Sequence, residues 1–448
     1  MFTYVKLKNF LSFGDVVFDF KKNAHAAKQF VAIYGENGSG KSNFVKSIDL
    51  LCQSLISFDN ASKFEEIHNL SKDGGSDIPV EVLRSFINTF DIQKYISSCR
   101  MVDCTDPTEI EYGFLLNGHE GKYTLSFTDK FTNESLYYFT GKQRGYLYKL
   151  SLNDSGQISQ SFWSGLFLSA SEKKETMNDI EKYWGKHTLL SILVHKMSSR
   201  NSSYNTENIS TFLLDVIQMF FNTTVITKQS NYQNTGIVNP KPDNMLKHLS
   251  SGRISKEQLP QLECSESVLR DFFTQTYADI KDVSYETEYT DTGMVKYQLF
   301  VDKMISGKIR HISFKNESAG TQQVLNIVKM LLGLFCGVTV VFDEIDTGVH
   351  DVLLNSIVNS LEGEISGQLI ITTHNTMLLE EIEPHSAYLI QVDYQGNKSI
   401  KCLDEFSLQN THNARIRYLK GMYGGTPYID GIDYTSIVDE IERAKEDL

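Results

Sequence analysis

The chain has 448 residues, 41% of them hydrophobic and 22% charged, which is enough to bury one large or two modest cores. Its formal net charge of −13 excludes nucleic-acid or anionic-membrane binding by the surface as a whole, so any such contact needs a local basic patch. The six cysteines form no CxxC pair, the first residues lack the apolar core of a signal peptide, and the apolar run at residues 330–342 is too short to span a bilayer; we expect a soluble cytoplasmic protein with reduced thiols and no membrane contact.

Alternating apolar residues predict a hairpin at the start of the chain. One strand contains Val5 and Leu7, the next contains Val16 and Phe18, and an Asn-Phe-Leu-Ser-Phe turn at residues 9–13 separates them.

A glycine-rich segment follows the β-prone run at residues 30–34. Its sequence, Gly-Glu-Asn-Gly-Ser-Gly-Lys-Ser, has the spacing of a phosphate-binding loop, and Phe44, Ile48 and Leu51 behind it have helical spacing. In such a loop backbone N–H groups point at phosphate oxygens, the lysine reaches the β- and γ-phosphates and the serine ligates Mg²⁺. We therefore predict ATP and Mg²⁺ as cofactors; the preceding hairpin either covers the base or ribose or completes the edge of a sheet. The predicted ATP-binding residues are Gly35, Glu36, Asn37, Gly38, Ser39, Gly40, Lys41, Ser42 and Asn43.

In the middle of the chain the sequence predicts loops, helices and strands. Residues 55–95 are polar and predict a loop-rich connector, and residues 230–261, rich in Asn, Pro, Ser and Lys, predict a mobile loop. Helical periodicity returns between residues 172 and 221. Predicted strands lie at residues 110–116, 122–127 and 134–139, as an antiparallel meander that a segment at 145–150 could extend, and at residues 294–302. A further predicted helix lies at residues 269–280.

A Ser-x-Gly turn precedes an apolar helix after residue 316. In Ser318, Ala319, Gly320 and Thr321, a hydroxyl and N–H groups at a helix start either bind an anion or simply cap the helix.

Two further buried strands end in polar residues. The strand at residues 338–342 ends in Asp343 and Glu344, and behind a phosphate loop Asp343 would hold Mg²⁺ through water while Glu344 would activate the attacking water. Asp346 lies in the turn that follows. The strand at residues 369–373 ends in His374, whose neutral imidazole could bond the γ-phosphate or the attacking water. Acids and a histidine at strand ends are usually structural, but the order of the motifs favours a functional interpretation.

These segments in this order resemble the ABC-type ATPase heads of the SMC, RecF and RecN class. The resemblance identifies residues 35–43 with the P-loop, residues 317–322 with the signature motif, Asp343 and Glu344 with the Walker B acids, Asp346 with the D-loop acid and His374 with the switch histidine. The Glu-Ser-x-Gly-Thr-Gln signature, the Thr-Thr-His-Asn strand end and the tail at residues 417–428 are similar to the stand-alone ATPases of abortive-infection and anti-phage operons, related to OLD and Gabija heads.

The resemblance implies an α/β fold of ABC type. It would have a mixed sheet flanked by helices, an antiparallel β subdomain and a helical insertion between the Walker A loop and the signature. The implied division is an N-terminal ATPase lobe at 1–165, a helical insertion at 166–290 and a C-terminal ATPase lobe at 291–448. Ala319 replaces a glycine of the usual signature, and no Q-loop glutamine can be placed between residues 60 and 160.

The resemblance also implies a site shared between subunits. ATP held by Lys41 and Ser42 of one subunit would be closed off by Ser318 and Gly320 of another, with Asp346 at the seam, and Lys41, Glu344 and His374 would be catalytic. Partners would be a second copy of the chain, with a higher oligomer left open, and a separate effector, since no TOPRIM or HNH nuclease module follows His374. The implied function is an ATPase subunit of an anti-phage system that controls a TOPRIM-like or HNH nuclease or another toxin.

The alternative is a RecF/SMC-like DNA-repair ATPase that binds DNA directly. Two basic clusters would then form a DNA patch, or would otherwise be solvated charged faces. The first comprises Lys303, Lys308, Arg310, His311 and Lys315, and the second Arg415, Arg417 and Lys420. A transporter subunit is disfavoured, because Lys41 and Ser318 lie much farther apart than a compact nucleotide-binding domain requires.

Overall fold

The structure of the protein is a computed structural model. It describes residues 1–72, 91–139, 144–153, 155–227, 245–246, 248–291, 293–361, 363–406, 413–426 and 434–446.

A six-stranded sheet lies at the centre, in the order β11-β16-β17-β5-β18-β19. All neighbours are parallel except the β18–β19 pair. The strands are nearly all buried, as expected for apolar parallel strands covered on both faces. Because β5, β16 and β17 are parallel, their carboxyl ends lie at one edge. The bounds are β5 Phe30–Tyr34, β11 Thr223–Ile226, β16 Thr339–Phe342, β17 Gln368–Thr372, β18 Ala387–Val392 and β19 Lys398–Cys402.

A seven-stranded antiparallel sheet, in the order β10-β9-β8-β7-β6-β1-β2, confirms the predicted hairpin and meander. The hairpin forms the end of this sheet, with β2 at its edge. The bounds are β1 Phe2–Phe10, β2 Phe13–Asp19, β6 Thr108–Leu116, β7 His119–Phe127, β8 Phe131–Phe139, β9 Arg144–Leu152 and β10 Ile158–Phe162; Lys21–Asn23 (β3) and Ala26–Ala27 (β4) form a separate short pair.

A third sheet contains β14 between β13 and β12, with β15 also paired to β14. The bounds are β12 Ser251–Ile254, β13 Ile280–Tyr289, β14 Val295–Ile305 and β15 Lys308–Ser313.

Helices flank the sheets. Their bounds are α1 Lys41–Lys72, α2 Ile92–Ser98, α3 Ala170–Tyr183, α4 Leu189–Ser198, α5 Ser202–Asn208, α6 Thr211–Phe221, α7 Leu259–Thr276, α8 Ala319–Phe335, α9 Asp351–Asn359, α10 Leu378–Glu381, α11 Ala414–Leu419 and α12 Tyr434–Glu446. Among the described residues, none of these helices combines the length and apolarity needed to cross a bilayer.

Two predictions about loops are wrong. Residues 55–72 continue α1, because Leu55 extends its buried face and Ser57 Oγ bonds Ser191 Oγ of α4 at 3.1 Å; residues 92–98 are α2, and the rest of the predicted connector, residues 73–90, lies outside the described residues. Residues 251–254 are β12, held by pairing with β14. The predicted helix at 269–280 begins earlier, at Leu259, and ends at Thr276.

Two hydrophobic cores meet at β5. Val31 and Ile33 pack with Phe44 of α1 and the seven-stranded sheet, whereas Ala32 and Tyr34 pack in the core of α8 and α9. Successive side chains of a strand point to opposite faces of the sheet, so β5 contributes alternate residues to each core. The central mixed sheet, the antiparallel subdomain and the helices that flank them confirm the predicted α/β architecture.

Candidate functional site

The phosphate loop joins the end of β5 to the start of α1, so it lies between both cores and opens at the carboxyl edge of the central sheet. A Cβ on Gly35 would lie 2.5 Å from Ser39 Oγ, and one on Gly40 would lie 2.7 Å from the ring of Phe13. Gly38 and Gly40 also have φ values of +81° and +115°. Only glycine fits this backbone without displacing its neighbours.

Ser39 indicates that the loop is shaped for a ligand. Its hydroxyl is buried, and it has no hydrogen-bond partner among the described residues. Buried polar atoms in folded proteins nearly always have a partner. A phosphate oxygen in the glycine-lined cradle would supply one, so the loop fits the phosphates of ATP.

Lys41 lies folded over the loop. Its Nζ donates to the carbonyl oxygens of Gly35 at 2.8 Å and of Glu36 at 3.1 Å. Burial lowers the pKa of Lys41, while the charges of Glu344 and Asp343 oppose that shift. The loop lysine and the acids after β16 are therefore close enough to interact.

Thr372 holds the two acids after β16. Its hydroxyl donates to Asp343 Oδ1 at 2.6 Å and accepts the backbone N–H of Glu344 at 2.7 Å. No local pattern in the sequence marks this residue, because only the pairing of β17 with β16 brings it beside the acids.

Glu344 has a strained backbone, with φ of +49°. Such a conformation costs a non-glycine residue about 1–3 kcal/mol and occurs preferentially at functional sites. Thr347 Oγ1 donates to Glu344 Oε2 at 3.3 Å, so hydrogen bonds fix both its backbone and its carboxylate.

Asp346 contacts the turn that carries His374. Its carboxylate accepts the backbone N–H of His374 at 3.2 and 3.3 Å, and the His374 side chain is exposed. Tyr34 OH donates to the carbonyl of Asn375 at 3.1 Å, which ties the end of β5 to the same turn. The loop, both acids, the following aspartate and the histidine thus meet at one edge of the sheet.

The signature segment begins α8. Ser318 Oγ accepts the N–H of Thr321 at 3.1 Å, so the serine caps its own helix. A Cβ on Gly320 would lie 2.4 Å from the carbonyl oxygen of Gly348, so this glycine is required by close contact with the turn after Asp346. Among the described residues, no hydrogen bond joins residues 318–321 to residues 35–43 of the same chain.

For Mg²⁺, Ser42 and Asp343 remain the predicted ligands. The described residues contain no group of three or more His, Cys, Asp or Glu side chains that could hold a metal alone. Mg²⁺ at a phosphate site is held by one or two protein ligands, and phosphate oxygens and water complete its coordination.

Two elements beyond the predicted motifs reach the loop. Lys398, at the start of β19, donates to the carbonyl of Gly38 at 3.2 Å. The tail after α11 contacts the base of the loop, where a Cβ on Gly425 would lie 3.8 Å from Gly35 Cα. Tyr418 supports that turn by donating to the carbonyl of Gly425 at 3.1 Å.

Some residues of the two basic clusters are paired with acids. Lys303 Nζ lies 2.9 Å from Glu317 Oε2, and His311 Nδ1 lies 2.6 Å from Asp302 Oδ1. In the second cluster Arg415 lies 3.5 Å from Glu380. These pairs involve three of the eight basic residues, so part of each cluster is a charged face balanced by the protein itself.

The sequence matches one family profile, described as "AAA domain, putative AbiEii toxin, Type IV TA system", over residues 30–380. That span includes the phosphate loop, the signature segment, the acids and His374.

Solved structures similar to the chain include two SMC heads. One is the SMC head domain from Thermotoga maritima, at 13% identity over 90% of this chain and 98% of that chain, with a TM-score of 0.38. Another is the Smc head domain from Pyrococcus furiosus with an extended coiled coil, bound to the C-terminal domain of ScpA, at 12% identity over 94% and 99% of the two chains, with a TM-score of 0.37. No curated protein matches the chain.

Proposed function

The chain belongs to this AAA-domain family of AbiEii type, and on that premise we propose that it is the ATPase subunit of an anti-phage or abortive-infection system. Two copies close around ATP, and hydrolysis lets them part, so that a separate toxin or nuclease is held and then released or activated. The observation that carries the proposal is the meeting of Lys41, Asp343, Glu344, Asp346 and the His374 turn at one edge of the central sheet.

Nucleotide binding rests on the loop. Its glycines leave space for phosphate oxygens, the buried hydroxyl of Ser39 has no described partner, and Lys41 can leave the loop carbonyls for the β- and γ-phosphates. Ser42 and Asp343 would hold Mg²⁺, which when bound supplies positive charge against the phosphates.

Hydrolysis rests on Glu344. Its carboxylate takes a proton from the attacking water, and the bonds from Thr347 and to Thr372 limit its movement. The turn that Asp346 holds presents the imidazole of His374 to the γ-phosphate.

The second copy supplies the signature. Ser318 and Gly320 have no described hydrogen bond to the loop of their own chain, which supports their use by another chain. Each charge-assisted contact to the γ-phosphate contributes about 1.5–3 kcal/mol. A few such contacts per site, doubled by two-fold symmetry, are enough to make dimerisation depend on ATP.

The test uses the purified protein with Mg²⁺ and ATP. We expect hydrolysis by the wild type and loss of both binding and hydrolysis in Lys41→Ala. Lys46→Ala, which removes the same charge from α1 outside the loop, serves as the control. Protein that neither binds nor hydrolyses ATP would contradict the proposal.

The effector is tested by co-expression with the product of the adjacent gene. We expect co-purification that changes between ATP and ADP. Salt-sensitive retention of duplex DNA by the ATP-bound form, without a protein partner, would instead support the DNA-repair alternative.

A further inference from the structure

Lys398 is a second lysine at the phosphate loop. Its Nζ donates to Ser12 Oγ at 2.6 Å and to the carbonyl of Gly38 at 3.2 Å, and it lies 5.3 Å from the ring centroid of Phe13. A Cβ on Gly40 would lie 3.2 Å from the same ammonium. The Lys398 ammonium therefore lies between the phosphate loop and the turn that joins β1 to β2.

This ammonium has only neutral acceptors. Among the described residues, no carboxylate oxygen lies within the 4.0 Å of a salt bridge, and burial lowers the pKa of Lys398. An ammonium that loses water without gaining an ionic partner is unfavourable, unless an anion binds beside it. The loop next to it is the predicted site for a polyanion.

The two lysines lie toward different ends of the site. Lys41 interacts with the charges of Glu344, Asp343 and Asp346, which mark the end where the γ-phosphate is attacked. Lys41 bonds the first carbonyls of the loop, those of Gly35 and Glu36, whereas Lys398 bonds the carbonyl of Gly38 farther along it. The charge of Glu36 acts on both lysines.

The Ser12 hydroxyl that Lys398 contacts shows which end of the phosphate loop this lysine occupies. Ser12 Oγ accepts a second bond, from Asn43 Nδ2 at 2.6 Å, and Asn43 follows the loop serine at the start of α1. Backbone N–H groups of a P-loop cradle the α- and β-phosphates, so the end away from the acids is the α-phosphate end.

We propose that Lys398 is a second nucleotide-binding lysine, which contacts the α-phosphate of ATP or ADP while Lys41 holds the β- and γ-phosphates. The proposal rests on the proposed ATPase function and adds a residue to its site. It makes Lys398 a determinant of affinity for both nucleotides, not of discrimination between them.

The experiment measures the Kd of ATP and of ADP, each with Mg²⁺, by calorimetry for the wild type, Lys398→Met, Lys398→Arg and Lys401→Met. Lys401 is the matched control because it lies on the same strand, is exposed and pairs with Glu405 at 3.4 Å. Thermal unfolding of each variant shows whether it is folded as the wild type is.

We expect Lys398→Met to weaken ATP and ADP by the same factor, about ten- to hundredfold. The difference in affinity between the wild type and Lys398→Met should be smaller at 0.5 M NaCl, because salt screens the attraction between the ammonium and a phosphate. A difference caused by an uncharged contact would depend less on salt. Lys398→Arg should recover part of the affinity, and Lys401→Met should equal the wild type.

Three results would overturn the proposal: unchanged affinity in Lys398→Met, loss of ATP affinity alone, or an equal loss in Lys401→Met. Failure of the wild type itself to bind either nucleotide would contradict the proposed function instead. The two failures are therefore distinguishable.

Discussion

The hydroxyl of Thr372 donates a hydrogen bond of 2.6 Å to the carboxylate of Asp343. Because the same hydroxyl accepts the N–H of Glu344, one side chain at the end of β17 positions both acids at the end of β16. The proposed metal ligand and the proposed base thus share a support that lies on a neighbouring strand.

Removing that hydroxyl tests the support. Thr372→Val keeps the shape of the buried side chain but leaves the Glu344 N–H and Asp343 Oδ1 without this partner. We expect the rate of ATP hydrolysis to fall about ten- to hundredfold, while the Kd of ATP changes by less than about threefold. Steady-state kinetics and calorimetry measure the two effects. Thr372→Ser keeps the hydroxyl and should retain most of the rate; an equal loss in the serine variant would refute the role of the hydroxyl.

The tail should affect the loop without touching nucleotide. Gly425 has φ of +74°, and a Cβ there would lie 3.2 Å from the carbonyl of Ile390 and 3.8 Å from Gly35 Cα. The Cβ itself would be in ordinary contact with Gly35, but the two methyl groups that valine adds beyond it have no free space on that side. We therefore expect Gly425→Val to displace the first glycine of the loop and to weaken ATP binding about tenfold. Calorimetry with ATP measures the change.

Gly396→Val is the matched control for that variant. Gly396 has φ of +81° but no atom within 4 Å of its Cβ position, so the substitution imposes similar backbone strain away from the loop. Equal ATP affinity in the two variants would show that the tail does not position the loop.

A half-buried histidine, His187, should make stability depend on pH. Burial, with a smaller effect from the neighbouring charge of Lys186, lowers the pKa of His187 to about 4. Below its ordinary pKa of about 6.5 the unfolded chain binds a proton that the folded chain does not, so the free energy of unfolding falls as the pH drops toward 4. The loss from this residue is at most about 3 kcal/mol.

Denaturant unfolding between pH 7 and pH 4 measures this dependence. In His187→Gln the free energy of unfolding should fall less between pH 7 and pH 4. His25 lies on an exposed turn, so His25→Gln should show the same dependence on pH as the wild type. A curve for His187→Gln parallel to that of the wild type would contradict the assignment.

Much of the fold was predictable because its signals are local. The apolar run before Gly35 and the alternation along residues 110–150 each specify an element by their own period. Residues 55–72 were misread because their polar composition conceals a helix held by tertiary packing, such as the contact of Ser57 with Ser191. Residues 251–254 were misread because a strand fixed by pairing with β14 needs few apolar residues of its own.

The candidate site also contains some residues that local sequence patterns predict and others that they do not. Motif spacing pointed to Lys41, Asp343 and Glu344, because their chemistry is tied to fixed positions along the chain. Thr372 and Lys398 act through distances across the fold, the latter from about 360 residues beyond Gly38, and no local pattern marks either one.

The central claim is that ATP is trapped between two copies of the chain, with Ser318 of one against the loop of the other. The direct measurement is the mass in solution, by multi-angle light scattering, of Glu344→Gln with ATP and Mg²⁺, beside the double variant Glu344→Gln/Ser318→Arg. We predict a dimer for the single variant, a monomer that still binds ATP for the double variant, and monomers for both with ADP. An ATP-bound monomer for the single variant, or an equally stable dimer for the double variant, would contradict the account.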